Sequence, residues 1–330
     1  MERMHPFALA RPDSLDEAVA LLARDPDARP IAGGTDLVPN LRRGLGAPSL
    51  LVDLAGVPGL DAVHAAADGG FAIGASVTLA RIVRDAAIAR SLPALHQAAA
   101  AVAGPSHRSA ATLGGNLCLD TRCVFYNQSA WWRGANDYCL KHGGDTCHVA
   151  PQGEHCHAAY SGDTAAALVA LAAEAEIAGP EGLRCVPLEH MYADDGAKHL
   201  TLGRGEILVR LHVPAQPAGS RSAYRKARAR GAIDFPLAGA AVRLAVDGGG
   251  AIAQLRIALT GTNSRPLLLE GADECVGRPV DEAMLTGLTK RVQKQAKPMR
   301  TTVASSNWRR TVAAVLVRRL VAELAGVARD

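Results

Sequence analysis

One stretch, Thr112 to Thr164, limits what this chain can fold into more than any other. It opens with TLGGNLC (Thr112 to Cys118), closes with YSGDT (Tyr160 to Thr164), and holds five of the seven cysteines: Cys118, Cys123, Cys139, Cys147 and Cys156. Half of the twelve aromatic residues (Phe125, Tyr126, Trp131, Trp132, Tyr138, Tyr160) and four of the eleven histidines share it. The surrounding chain is aliphatic, built mostly of Ala, Leu and Val. Such a concentration predicts a metal-bearing insertion in an otherwise aliphatic protein. The N-terminus MERMHPFALARP lacks the apolar stretch of a secretory signal, and no run approaches the roughly 18 apolar residues of a membrane span. The expectation is a soluble, cytoplasmic chain. In that reducing compartment thiolates serve as metal ligands more readily than as disulfides.

The spacing is Cys123-x15-Cys139-x7-Cys147-x8-Cys156, with Cys118 five residues before the first. Structural zinc sites usually carry C-x2-4-C pairs, because two ligands on one knuckle orient each other, and no such pair occurs here. A four-iron cluster asks only for four thiolates at roughly tetrahedral corners, which a long irregular loop can supply. Mixed Cys/His zinc ligation through His142, His148, His155 or His157 is the competitor. Spacing alone leaves iron–sulfur, zinc and no metal open. Cys185 and Cys275 stand apart and read as small buried hydrophobes.

At 330 residues the chain exceeds what one core usually supports. Pro214 to Ser220 is the expected linker. The net charge of +4 is small and evenly spread, which gives no support to a nucleic-acid or membrane-surface partner. Ser14-Leu15-Asp16-Glu17 has the form of a capping box and starts a first helix that ends before Pro26. Strands are expected at Leu50 to Leu54, Phe71 to Ala75, Ala175 to Ala178 and Glu206 to Val213. Helices are expected from Thr78 to about Ile88, from Ser91 to Ala103, and from Ala165 to Ala173. Beyond the linker, Ala240 to Val246 and Ile252 to Thr260 form a hairpin across Asp247-Gly248-Gly249-Gly250. Helices follow at about Asp281 to Lys294 and from Ser305 or Ser306 to Leu324, with Gly326 past the end.

Two glycine turns stand out. Ile31-Ala32-Gly33-Gly34-Thr35-Asp36-Leu37 and Thr112-Leu113-Gly114-Gly115-Asn116-Leu117 lie about eighty residues apart. Paired glycines let backbone N–H groups converge on phosphate oxygens without spending a cation. Two such turns could clasp one extended phosphate-bearing ligand. Neither a Walker A motif nor GxGxxG is present. Arg221 to Arg230 is basic, which reads either as a solvated face or as an anion contact. Ser106-His107 has no acid spaced to orient the histidine, which argues against a hydrolase triad.

The pair AGGTDL (Ala32 to Leu37) and TLGGN (Thr112 to Asn116), with Asp163 opening the following helix, resembles the FAD-binding subunits of the molybdenum hydroxylases. The resemblance implies an α+β fold: a two-lobed FAD-binding domain of the vanillyl-alcohol-oxidase (PCMH) type over residues 1–217, with lobes of about 1–56 and 57–217. A smaller α/β domain of the CO dehydrogenase flavoprotein type would follow at 218–330. It implies FAD contacts from Ile31, Ala32, Gly33, Gly34, Thr35, Asp36, Leu37, Thr112, Gly115, Asn116, Asp163 and Lys226, with Asp234-Phe235-Pro236 near the ring. The insertion at about 120–160 resembles that of one branch, the 4-hydroxybenzoyl-CoA reductases. This implies a [4Fe–4S] cluster on Cys123, Cys139, Cys147 and Cys156, with Cys118 a bystander near the flavin. It further implies a molybdenum-binding large subunit and a [2Fe–2S] small subunit, a dimer of heterotrimers, and a ferredoxin-like donor. Substrate chemistry would then occur on a partner, so no catalytic acid or base is expected in this chain.

Overall fold

The computed structural model describes residues 4–327. The first segment builds a small parallel sheet. β1 (Ala8–Ala10), α1 (Leu15–Arg24), β2 (Arg29–Ile31), α2 (Leu37–Leu41) and β3 (Leu50–Asp53) follow in order, and the strands pair as β1-β3-β2. Ser14 caps α1 as expected, while Glu17 reaches back one residue past the cap. Ser14 Oγ accepts from the Glu17 N–H at 3.2 Å, and the Glu17 carboxylate accepts from the Asp13 N–H at 2.9 Å. Ala18, Val19 and Leu22 then face Val52 and Leu54 in one buried cluster.

The second segment carries a five-stranded antiparallel sheet and a layer of short helices. Its strands are β4 (Val63–Ala65), β5 (Phe71–Gly74), β6 (Glu174–Gly179), β7 (Gly182–Pro187) and β8 (Ile207–Val213), ordered β4-β5-β8-β6-β7. Between β5 and β6 run α3 (Leu79–Arg84), α4 (Ala86–Ser91), α5 (Pro93–Ala101), α6 (Pro105–Ala110), α7 (Leu113–Leu117), α8 (Ala130–Gly134) and α9 (Asp163–Ala170). The helix expected to run from Thr78 to Ile88 is two helices, because the Asp85 carboxylate accepts from the Ala87 and Ile88 N–H groups and caps a new start. Pro93 and Pro105 each sit in the first turn of a helix, so Gly104-Pro105 begins α6 as well as ending α5. Every residue of α9 is buried.

The last segment pairs β9 (Arg221–Ala227), β10 (Ala238–Val246), β11 (Ile252–Thr260) and β12 (Leu267–Leu268) as an antiparallel sheet ordered β12-β11-β10-β9. Two helices, α10 (Glu282–Gln295) and α11 (Ser306–Ala325), cover one face, and Gly326 ends α11 at φ 74°. The other face meets the second segment: Ala241, Ala258 and Tyr224 share a cluster with α9. Arg309 is 3% exposed and donates to the carbonyls of Leu237, Met299 and Gly261, stitching α11 to the sheet. The α+β class and the hairpin match expectation. The basic run from Arg221 contains a strand, β9, which was not foreseen. Of the two isolated cysteines, Cys275 is buried as expected, and Cys185 is not: it is exposed on edge strand β7. No helix of the described residues is long and apolar enough to cross a membrane.

Candidate functional site

The fold brings the two glycine turns together. A Cβ built on Gly33 would lie 1.9 Å from the Ala110 carbonyl oxygen, so the first turn presses on the backbone that leads into the second. Gly114 is held as closely, with its N–H donating to the Ala75 carbonyl at 2.7 Å and a Cβ there 2.8 Å from Ala75 Cβ. These close approaches explain why glycine stands at both places. Thr112 caps α7, its hydroxyl accepting from the Gly115 N–H at 3.1 Å. Together the turns line a cleft of about 1100 Å³ that runs between the first two segments.

All twelve expected cofactor residues except Lys226 line this cleft. Lys226 reaches it through Asp163: the ammonium lies 3.0 Å from Asp163 Oδ2 and also donates to the Asp234 carbonyl, while the Tyr224 hydroxyl donates to Asp163 Oδ1 at 2.5 Å. Burial raises the Asp163 carboxyl above its ordinary value, and Lys226 and Tyr224 oppose that rise. Asn116 joins the two ends of the cysteine-rich stretch, its Oδ1 accepting from the Thr164 N–H at 3.0 Å and the Thr164 hydroxyl at 2.7 Å. Ile233, Asp234 and Phe235 line the same cleft.

The cysteine-rich stretch leaves the body of the molecule through a narrow neck. Arg122 and Ala159 exchange two backbone hydrogen bonds of 2.8 Å, so the segment between them closes on itself. Inside it, Cys123, Cys139, Cys147 and Cys156 line one small cavity with Phe125, Tyr126, Val149 and Ala158. Cys118 lines the large cleft instead. The sequence expectation thus separates the same way in space: four sulfurs share one chamber and the fifth lies outside it. Backbone N–H groups of Tyr126 and Ala158 point at the sulfurs of Cys123 (3.1 Å) and Cys156 (3.4 Å). Burial raises the Cys123 thiol above its ordinary value and pushes Cys156 up to about 12. Thiols so placed become thiolates when a metal supplies the opposing charge.

The aromatic residues both pack the insertion and shield this chamber. Phe125 stacks on His148 at 4.1 Å and meets Trp132 edge-on at 4.8 Å. Arg133 is fully buried, and its guanidinium donates to the carbonyls of Tyr126, Gln128 and Gly44, tying the insertion to the first segment. It has no carboxylate partner among the described residues, and its Nε has no hydrogen-bond partner. Among the described residues of the insertion, no three His, Cys, Asp or Glu ligand atoms lie within 4.8 Å of one another, so the four thiols line one cavity without converging on a single point.

Elsewhere, one trio of ligand-type side chains does converge: Glu176, Cys185 and His212, on three neighbouring strands. His212 lies 2.6 Å from Glu176, and the Arg210 guanidinium stands 3.9 Å from the same carboxylate, so that charge is already matched.

One contact of the site was not foreseen from the sequence. Arg122, at the neck, forms an ion pair with Asp36 of the first glycine turn and lays its guanidinium 4.3 Å over the Phe235 ring. Burial raises the Asp36 carboxyl, and Arg122 opposes it. A segment adjacent to a cysteine ligand candidate is thereby fixed to the wall of the cleft.

Residues 5–216 match the family model described as the FAD binding domain in molybdopterin dehydrogenase, and residues 222–324 match the CO dehydrogenase flavoprotein C-terminal domain. The chain is 33% identical over 279 residues to the aldehyde oxidoreductase FAD-binding subunit of Escherichia coli K12, covering 82% of this chain and 86% of that one. It is 27% identical over 320 residues to the xanthine dehydrogenase FAD-binding subunit of E. coli O157:H7, with 96% of each covered. Among solved structures, CO dehydrogenase from Oligotropha carboxidovorans superposes with a TM-score of 0.81 at 26% identity, over 99% of this chain and 100% of that one. Two glycine turns facing one cleft, a second domain packed behind α9, and these matches over nearly the whole length lead to one conclusion: the chain belongs to the FAD-binding subunits of the molybdenum hydroxylase family of oxidoreductases.

Proposed function

We propose that this chain is the electron-transfer subunit of a molybdenum-dependent 4-hydroxybenzoyl-CoA reductase, carrying FAD in the large cleft and a [4Fe–4S] cluster on Cys123, Cys139, Cys147 and Cys156. The observation that carries the reading is the shared chamber: four cysteines spread over 34 positions line one cavity beside the cleft, and Cys118 does not. When bound, FAD exchanges electrons in pairs and an iron–sulfur cluster singly, so a chain holding both converts between the two regimes. The protein's part is positional. Gly33 and Gly114 bring backbone against backbone so that a dinucleotide can lie along both turns. Asp163, held by Lys226 and Tyr224, presents a fixed carboxylate to its polar groups. Phe125, Tyr126 and Val149 keep water from the sulfurs.

In this reading electrons come from a low-potential donor such as ferredoxin. They pass to [2Fe–2S] and molybdenum subunits, with which the chain forms a hetero-oligomer, a dimer of heterotrimers. The overall reaction takes two electrons and two protons, removes the phenolic hydroxyl of 4-hydroxybenzoyl-CoA as water and leaves benzoyl-CoA. No catalytic acid or base is assigned to this chain, and the assembly is cytoplasmic with no nucleic-acid or membrane partner. The direction of electron flow is the testable point. The assembled complex, kept anaerobic with a chemically reduced low-potential donor, is expected to form benzoyl-CoA. Hydroxylation of an aromatic or heterocyclic substrate, with no reductive turnover, would replace the reductase assignment by that of an oxidising hydroxylase.

A further inference from the structure

The four-cysteine chamber and the large cleft share a wall. Two side chains, Tyr126 and Lys141, line both cavities. The Lys141 side chain is 6% exposed, and its ammonium lies 4.4 Å over the Tyr126 ring. It donates to Asp120 Oδ1 at 2.6 Å, the Thr121 hydroxyl at 2.5 Å and the Thr121 carbonyl at 3.2 Å. Its charge acts on both Cys123 and Cys156. Asp120 lines the cleft side of this wall and does not line the cysteine chamber. Lys141 thus stands in the wall between the cysteine chamber and the cleft, with its counter-ion on the cleft side. The Asp120 side chain is 36% exposed, so the buried cation is the less screened member of the pair.

We infer that the Lys141–Asp120 pair is a built-in electrostatic poise for the iron–sulfur cluster: Lys141 stabilises the more negative, reduced cluster and raises its reduction potential, and Asp120 limits that rise. This rests on the cluster assignment above. Lys141 is a positioning and tuning residue that touches the cavity wall, and no ligand or proton-transfer role is assigned to it. One electron entering a four-thiolate cluster adds one negative charge, so a neighbouring fixed cation favours that step whichever donor supplies the electron. The same wall places the Tyr126 ring, already packed under the ammonium, between the two cofactor sites.

The two members of the pair make opposite forecasts, which general damage to the loop cannot reproduce. In the anaerobic holoprotein, an EPR-monitored redox titration of Lys141→Gln should show the cluster harder to reduce. The expected change is about tenfold in the reduced-to-oxidised ratio at a fixed ambient potential, or about 59 mV for a one-electron couple. Asp120→Asn should move the midpoint the other way, and Lys141→Arg, which keeps the charge, should restore most of the unmodified value. An unchanged midpoint in Lys141→Gln with iron content intact would overturn the inference, as would shifts of the same sign in the Gln and Asn variants. Absence of a cluster signal in the unmodified protein would instead overturn the cluster assignment, so the two failures are distinguishable.

Discussion

Gly33 shows how a single residue type fixes the cofactor cleft. Its missing Cβ is the space occupied by the Ala110 carbonyl oxygen, 1.9 Å from where that carbon would be. Gly33→Ala must push the first turn away from the second, and the expected outcome is FAD affinity weakened at least about tenfold, roughly 1.4 kcal/mol. Flavin fluorescence titration of the deflavinated chain, with circular dichroism as the control for folding, measures it; unchanged affinity would contradict the clasp. Glycine pairs were legible in the sequence because only glycine tolerates such approach. The same is true of the four cysteines, whose spacing and aromatic neighbours marked one loop. Asp36 and Arg122 were not legible as partners, since 86 positions separate them and nothing local to either demands the other. Lys226 was named through the family resemblance, and the structure shows its ammonium engaged with Asp163 and the Asp234 carbonyl. A sequence shows that a lysine is present and not which carboxylate meets it.

At the scale of elements, periodicity worked where one face is buried and failed where charge masks it. β10 and β11 were readable as apolar runs flanking a glycine turn. β9 was hidden because Arg221, Arg225 and Lys226 interrupt it, although Ser222, Ala223 and Tyr224 are buried in the sheet. The break between α3 and α4 is a competition between continuing a helix and the Asp85 side chain starting a new one, and the cap wins. The five-stranded sheet offers a pH test. Arg184 on β7 holds Glu206, just before β8, with bonds of 2.7 and 2.8 Å. The Arg184 guanidinium lowers the Glu206 pKa below its ordinary 4.5. A lowered folded-state value means that the stabilisation is complete above the ordinary pKa and is lost as pH falls through the lowered one. Thermal unfolding should therefore decline less steeply between about pH 5 and 3 in Glu206→Gln than in the unmodified chain. Parallel profiles would show that the pair carries no pH-linked stability.

On the scale of the whole molecule, the insertion is a self-contained graft. Its neck is closed by Arg122 and Ala159, four sulfurs line its interior cavity, and its ties to the body include Arg133 to Gly44, Arg122 to Asp36, Lys141 to Asp120, and the Cys156 backbone to Asp195, Gly196 and Ser264. The flavin turns lie outside the neck, so the proposed cluster site and the flavin cleft should be separable by mutation. The most direct measurement is metal and flavin content of the anaerobically isolated protein and of Cys139→Ser. About four irons with matching acid-labile sulfide per FAD are expected in the unmodified chain. Cys139→Ser is expected to lose the iron and keep the FAD. Zinc in place of iron, or a full iron complement in Cys139→Ser, would contradict the account.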